Sequence, residues 1–463
     1  MTSFMRYAVL ASVLVISCVA AAGNAETPTY EEHVLPLLRE YCVQCHRADK
    51  TSAGLDMTSL AALEKGGDSG PAIKPGVPEN SPLYRAMAHI GSESPMPPDA
   101  PKIPEGKLRL VAAWIEGGLR LRSGDPGRAK KPLVDIAIDA SATVGEPTTP
   151  ISVMASLPAA VASKSGRDLP VMALAVNPWA AVLAVGGHGE AMLHDIASGR
   201  RIGTIPFPEG ELRVLRFSRS GQVLLMAGGR PTGSGKAVLV DLATAKPIAT
   251  LGDDFDVVLA ADLSPDQSLV ALAGPEKLVR VYRVADGSLA YTLKKHTDFV
   301  TAVQFSPDGT RLASGDRASG LFICDAMTGA NPKLLDGVVD GVTDLDWRRD
   351  GKAIAVASGD GSVLVYEPSA GIIASKWKAH DGGATAVAFA KDGRLVSGGH
   401  DAAARIWSAD GKKAAEFTAG LGTAFRVGFA PDGLTAFAGD WSGSVRQYNA
   451  ADGTEIRRFR RLD

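Results

Sequence analysis

Cysteine is scarce in this chain: four in 463 residues, with Cys18 inside an N-terminal apolar run and only Cys42, Cys45 and Cys324 beyond it. Three thiols, two of them three positions apart, make a poor disulfide framework for a chain of this length. Aromatic residues are few, at 6%, and the net charge is only −2. That balance gives no footing for a nucleic-acid partner or an anionic membrane surface. After residue 25 no apolar run approaches the roughly 20 residues of a membrane-spanning helix. Glycine, by contrast, is plentiful, at 51 residues, as many short strands joined by tight turns require. At this length two or three domains are expected rather than one core.

Residues 1–25 read as a signal peptide. Arg6 supplies a positive start, Tyr7 to Ala22 is an unbroken run of apolar and small residues, and Gly23-Asn24-Ala25 offers a small-residue cleavage site. The run is too short for a spanning anchor. Val15-Ile16-Ser17-Cys18 loosely fits a lipobox, so the alternative is a lipid anchor at Cys18. Either way the chain is expected to be exported, to the periplasm.

The sharpest motif is Cys42-Val43-Gln44-Cys45-His46. Thiols at i and i+3 can each add to one vinyl group of a haem, and the next residue's imidazole then reaches the iron from the same face. A lone Cys-x-x-Cys is equally a redox dithiol or half a zinc site. Here no βαβ setting surrounds it, and the nearby zinc candidates, His33 and His89, form a poor set. The expectation is one covalently attached haem c, with Cys42 and Cys45 as its thioether anchors and His46 as proximal iron ligand.

The surroundings suit a small helical domain over residues 26–121. Thr29 and Glu32 read as a capping box ahead of Val34, Leu35 and Leu38, with Pro36 kinking or limiting that helix. Leu108, Val111, Trp114 and Ile115 form a second amphipathic stripe closed by Gly117-Gly118, with Trp114 read as a packing residue. Ser94-Pro95-Met96-Pro97-Pro98 holds Met96 on a stiff loop 50 residues after His46, which makes its thioether the expected distal iron ligand. Met87 and His89, on an expected helix from Pro82 to His89, are the rivals, and an open iron site is a third outcome.

These residues together resemble the planctomycete-type cytochrome c domain. The landmarks are Val34-Leu35-Pro36-Leu37-Leu38, the Cys42 to His46 motif, Gly54-Leu55-Asp56, Gly66-Gly67-Asp68-Ser69-Gly70-Pro71, Pro75-Gly76, Met96-Pro97-Pro98 and Trp114-Ile115. The resemblance implies a small all-α class I-like cytochrome c with haem ligation by His46 and Met96. It implies nothing about substrate. The Gly66 to Pro71 run lacks the Lys-Ser/Thr ending of a phosphate-binding loop.

From 122 to 167 periodicity collapses into a Pro-, Ser-, Thr- and Ala-rich linker, with one short strand expected at Val134 to Ile138. Over 168–463 the chain repeats. Tight turns ending at Ala180, Gly221, Gln267, Gly309, Gly351, Gly393 and Gly433 recur every 40 to 46 residues, and apolar strands ending at His194, Val240, Tyr282, Cys324, Tyr366, Trp407 and Tyr448 keep the same phase. Short strands at this period are what a four-stranded blade needs, and blades must stack to bury both faces. A seven-bladed β-propeller is expected. Glu455-Ile456-Arg457-Arg458-Phe459 is expected to join the first blade and close the ring.

The units resemble WD repeats, mostly degenerate. His380, Ser397, Asp401 and Trp407 fall at that family's structural tetrad, which implies a structural rather than catalytic role for His380 and Asp401. The unit beginning at His296 has Ser314, but Ala318 stands at the Asp position and Cys324 replaces Trp. Cys324 is read as a small core residue. His188, His194 and His400 show no metal-ligand spacing, and Gly315-Asp316 and Gly359-Asp360 read as turns. The leading function is single-electron transfer by an exported cytochrome rather than catalysis. Redox partner proteins would dock at the haem edge and the propeller face. The alternatives are a redox enzyme with its site in the propeller, or a haem-based redox or gas sensor. Haem-c/haem-d nitrite reductases share this order of parts, but they use eight blades and specific histidines for a second haem.

Overall fold

The computed structural model describes residues 28–125 and 170–459, apart from 69, 77, 79, 80, 91–93, 99, 255 and 421. The expected signal peptide, Cys18 and the strand at Val134 to Ile138 lie outside the described residues. The chain divides into two compact units, with the break between Ala129 and Lys130. The first is small and helical; the second is almost wholly β-sheet. Among the described residues no helix is long and apolar enough to cross a membrane.

The first unit is built from four short helices: α1 (Leu35–Tyr41), α2 (Leu60–Lys65), α3 (Pro82–Ala88) and α4 (Glu105–Glu116). The helical spacing of Leu108, Val111, Trp114 and Ile115 puts all four on one face of α4, each at most 1% exposed. That face packs on Val34, Leu38, Leu63 and Met87 to make the core. Trp114 Nε1 donates to the Arg120 carbonyl at 3.0 Å, so its one polar atom is satisfied.

The N-terminal cap differs from the capping box expected. A π-turn, Tyr30–Val34, precedes α1. Thr29 Oγ1 donates to Glu32 Oε2 at 3.2 Å, while the Thr29 N–H donates to His33 Nδ1 at 3.1 Å. The wider π-turn brings residue i+4, rather than i+3, back to the first free N–H. His33 is thereby a cap partner. Pro36 stands in the first turn of α1, where its missing N–H leaves no bond unmade.

Among the described residues the second unit forms six antiparallel sheets. Five are four-stranded meanders, spanning 260–293, 300–334, 342–378, 384–418 and 424–459. The other has seven strands between 174 and 254, because one long strand, Arg201–Phe217, serves two repeats. Its first half pairs Ile205 with Ala191 and its second half pairs Leu215 with Met226. Gly210, with φ 138°, lies between the halves, in a backbone region closed to most side chains.

Adjacent sheets are joined by shared apolar clusters. Cys324, 3% exposed, sits in one with Val281 and Phe305, as a small core residue does. First and last sheets also pack together: Val171, Leu183 and Met192 share a cluster with Phe437, Val445 and Phe459. The Val171 N–H donates to the Asp440 carbonyl at 3.0 Å. The terminal strand Glu455–Phe459, however, pairs with Val445–Asn449 in the last sheet and not with the first repeat. The first repeat already has its own four strands, so it has no vacancy for a fifth. The two sheets meet through side chains, with Phe459 edge-on to His194 at 5.4 Å.

The His380 tetrad forms as its residue types suggested. His380 Nδ1 meets Asp401 at 2.9 Å, His380 Nε2 meets Ser397 Oγ at 2.7 Å, and Trp407 Nε1 donates to Ser397 Oγ at 2.8 Å. The His296 unit corrects the sequence reading. Its carboxylate is Asp316, not a residue at position 318: His296 Nδ1 meets Asp316 at 2.9 Å and Nε2 meets Ser314 Oγ at 2.8 Å. Asp316 is a buried member of this network as well as a turn former, accepting the Ala318 and Gly320 N–H groups.

Burial pushes both His296 and His380 below the usual imidazole value, against the aspartates that would raise them. In acid the unfolded chain therefore takes up protons that the native imidazoles refuse, and stability falls as pH drops below about 6.5. Denaturation midpoints measured from pH 8 to 5 should fall across that window, and less steeply for a His296→Asn/His380→Asn double variant. Phe459→Ala should cost about 3 kcal/mol in denaturant unfolding, because it opens a cavity between the first and last sheets; a loss under about 0.5 kcal/mol would show that this contact holds nothing.

Candidate functional site

The candidate site begins where α1 stops. The Cys42 and Val43 N–H groups still donate to the Leu38 carbonyl, at 2.8 and 2.9 Å. The chain then folds back, and the N–H groups of Cys45 and His46 donate to the Cys42 carbonyl at 3.1 and 3.0 Å. One turn thus gathers two thiols and an imidazole. A short hairpin, His46–Arg47 against Lys50–Thr51, carries the chain out. The His46 carbonyl accepts the Met57 N–H at 3.0 Å, so the backbone of His46 is fixed from both sides.

The three side chains differ in setting. Cys42 is buried against the helical core, and burial alone pushes its thiol up to about 11. Cys45 is exposed. Neither is in a disulfide. His46 is 9% exposed, and its Nδ1 is buried with no hydrogen-bond partner among the described residues. A buried polar atom left unpaired costs about 1–3 kcal/mol, and a bound group beside the imidazole is one way to account for it.

Met96 is placed by α3. Its N–H donates to the Ala86 carbonyl at 3.0 Å, and the side chain is half-buried between Pro95 and Pro97. Its rivals have other settings: Met87 is 1% exposed within the core, and His89 is exposed at the left-handed end of α3. Sequence reasoning did not foresee the Ala86 carbonyl as the anchor for Met96; a backbone acceptor leaves no residue-type signal. Two thiols, an imidazole and a thioether are a soft-to-borderline donor set that fits haem c. Residues Cys42, Cys45, His46 and Met96 would hold it.

The Gly66 to Pro71 run approaches the chain just beyond the motif, at Ala53. The Gly67 and Gly70 backbones pair with one another, and the Asp68 N–H donates to the Ala53 carbonyl at 2.9 Å. A Cβ on Gly67 would collide with that same Ala53 carbonyl, so the glycine permits a close backbone approach.

In the second unit the three scattered histidines have separate settings. His188 is exposed and His400 Nδ1 meets Thr423 Oγ1 at 3.0 Å, whereas His194 is buried, 3% exposed, against Phe459. Alkylation of the haem-free chain should label Cys45 at least ~10-fold faster than Cys42, since exposure and thiolate character govern the rate. Peptide mapping by mass spectrometry reads this ratio, and equal rates would contradict the burial of Cys42.

Comparison with known proteins places both units. The family described as planctomycete cytochrome C matches residues 42–100. The WD domain, G-beta repeat, matches 287–323, and the WD40 domain of anaphase-promoting complex subunit 4 matches 333–392. Among curated proteins, actin-interacting protein 1-2 of Arabidopsis thaliana is 28% identical over 177 residues, 37% of this chain and 29% of that protein. The 66 kDa stress protein of Physarum polycephalum is 31% identical over 155 residues, 32% of this chain and 25% of its own length. WD repeat-containing protein 1 of Gallus gallus is 32% identical over 116 residues, 21% and 19% of the two chains. The chain spans less than a third of each of these relatives. It carries a planctomycete cytochrome C domain at its N-terminus and WD40 repeats in its C-terminal region.

Proposed function

We propose that the protein is an exported mono-haem c-type cytochrome that transfers single electrons, with its repeat unit serving as a docking platform for redox partner proteins. The observation that carries this reading is the turn after α1, which brings Cys42, Cys45 and His46 to one place and leaves His46 Nδ1 unpaired. The family match that begins at Cys42 supports it. Haem c, when bound, supplies a one-electron change at its iron. The chain's part is to anchor it by the two thiols, to hold the His46 backbone still between Cys42 and Met57, and to keep Met96 on the α3-tethered loop as sixth ligand. A fixed ligand geometry limits how much the site must rearrange when its charge changes.

Export is part of the proposal and rests on residues 1–25. The ring reading rests on the repeats. Counting the long strand Arg201–Phe217 once for each repeat it serves turns six sheets into seven four-stranded blades, and the packing of Val171 and Met192 on Phe437 and Phe459 supports a closed ring. One of the relatives is named as a WD repeat-containing protein and another for interacting with actin. Their kind supports a protein-binding surface here, not actin as its partner.

Protein purified from an exporting host should give a pyridine haemochrome spectrum of one covalently bound haem per chain, and Cys42→Ala/Cys45→Ala should lose it. Absence of covalent haem from the unaltered protein would overturn the proposal. Met96→Leu should keep the haem, lower its midpoint potential and abolish the thioether-to-iron charge-transfer band. A band that survives unchanged would assign the sixth position to another residue.

A further inference from the structure

The seven repeats of the second unit converge on two adjoining cavities, of about 310 and about 70 Å³. Both are lined by the first strand of each repeat or its start, and the larger also by the turns that follow it. Leu174, Leu215, Arg216, Ala388 and Val427 line both, so the cavities meet at Arg216. Their charge is lopsided. Cationic side chains come from Arg213, Arg216, Arg219, Arg349, Lys391 and Arg426, against three carboxylates, Asp262, Asp344 and Asp346.

The carboxylates have structural work. Asp262 Oδ2 accepts the Phe305 N–H at 2.8 Å, Asp344 Oδ2 the Val387 N–H at 3.1 Å, and Asp346 Oδ2 the Phe389 N–H at 2.7 Å. Each aspartate therefore staples its strand to the first strand of the next repeat. Asp346 also accepts from Gln304 Nε2 at 2.9 Å.

Two of the arginines have partners of their own: Arg213 pairs with Glu211 at 2.6 Å, and Arg426 Nη1 donates to the Phe425 carbonyl at 3.0 Å. The guanidinium of Arg216 makes no hydrogen bond or ion pair to any described residue, and neither does that of Arg219. Burial opposes the charge of Arg216, which the field of Asp262, Asp344 and Asp346 sustains. Burial pushes Arg219 and Arg426 below the usual guanidinium value. Arg349 stacks on Trp179 at 4.3 Å, which holds another cation at the wall of the larger cavity. With no hydrogen-bond partner, the guanidinium groups of Arg216 and Arg219 have their five-donor forks free for planar oxygen pairs.

We propose that this cavity is a binding site for a small anion carrying two or more charged oxygens, held by Arg216 and Arg219. A volume of about 310 Å³ admits a dicarboxylate or an inorganic oxyanion and excludes a polymer. The site goes beyond electron transfer and does not depend on haem attachment, so each reading stands or falls separately.

Titration calorimetry on the full haem-loaded chain, with inorganic phosphate and with succinate, tests this against sodium chloride at matched ionic strength. Saturable one-to-one binding of either probe is expected, and which one binds distinguishes an oxyanion from a dicarboxylate. Arg216→Gln should weaken that binding tenfold or more while the circular dichroism and haem spectra stay unchanged. Arg219→Gln serves the same purpose should Arg216→Gln fail to fold. Lys412→Gln, on the exposed surface, should bind as the unaltered protein does. Absence of saturable binding of both probes, or undiminished affinity in a folded Arg216→Gln or Arg219→Gln protein, would overturn the proposal.

Discussion

The cytochrome unit depends on one backbone acceptor, the Cys42 carbonyl, which takes the N–H groups of both Cys45 and His46. This forked bond sets the spacing of two sulfurs and a ring nitrogen without help from their side chains. Everything else in the unit holds that turn in place. The α4 stripe buries α1 on one side, and the Gly66 to Pro71 loop presses on Ala53 on the other. The helices are too short to persist alone. Their order comes from a shared core around Trp114 and Met87, which is why the rival methionine packs inside while Met96 is left at a loop.

The repeat unit solves a different problem. Each sheet has two apolar faces and can bury them only against neighbours. Between first strands the stapling is polar: Asp262, Asp344 and Asp346 each cap an N–H of the next repeat. Outward from there it is apolar, through clusters that alternate from sheet to sheet. The tetrad at His380 and the His296–Asp316–Ser314 triad tie connecting loops down. At the seam between first and last sheets an apolar cluster around Phe437 and Phe459 is joined by a backbone bond from Val171.

Much of this was legible in the sequence because it rested on short-range patterns. The Cys42 to His46 spacing, the α4 stripe and the repeat period all involve residues within one element or one repeat, and the structure places them as their spacing suggested. The misses share a cause. Asp316 reaches His296 from two residues earlier than the WD resemblance implied, because the turn after Gly315 directs its carboxylate inward. The terminal strand stayed with its own repeat, since strand pairing is decided by which edge is open and not by the strand's composition. His33 replaced Glu32 at the Thr29 N–H because a π-turn shifted the register by one. The Arg216 cavity was invisible for a further reason. Its charges lie scattered over some two hundred residues of sequence and meet only when seven repeats converge.

The most direct test of the central claim is the intact mass of the protein purified from an exporting host, followed by mass mapping of the peptide that spans Cys42 to His46. The account predicts one added haem per chain, with both sulfurs of that peptide in thioether bonds. A peptide recovered with its two thiols free, or joined to each other, would contradict it.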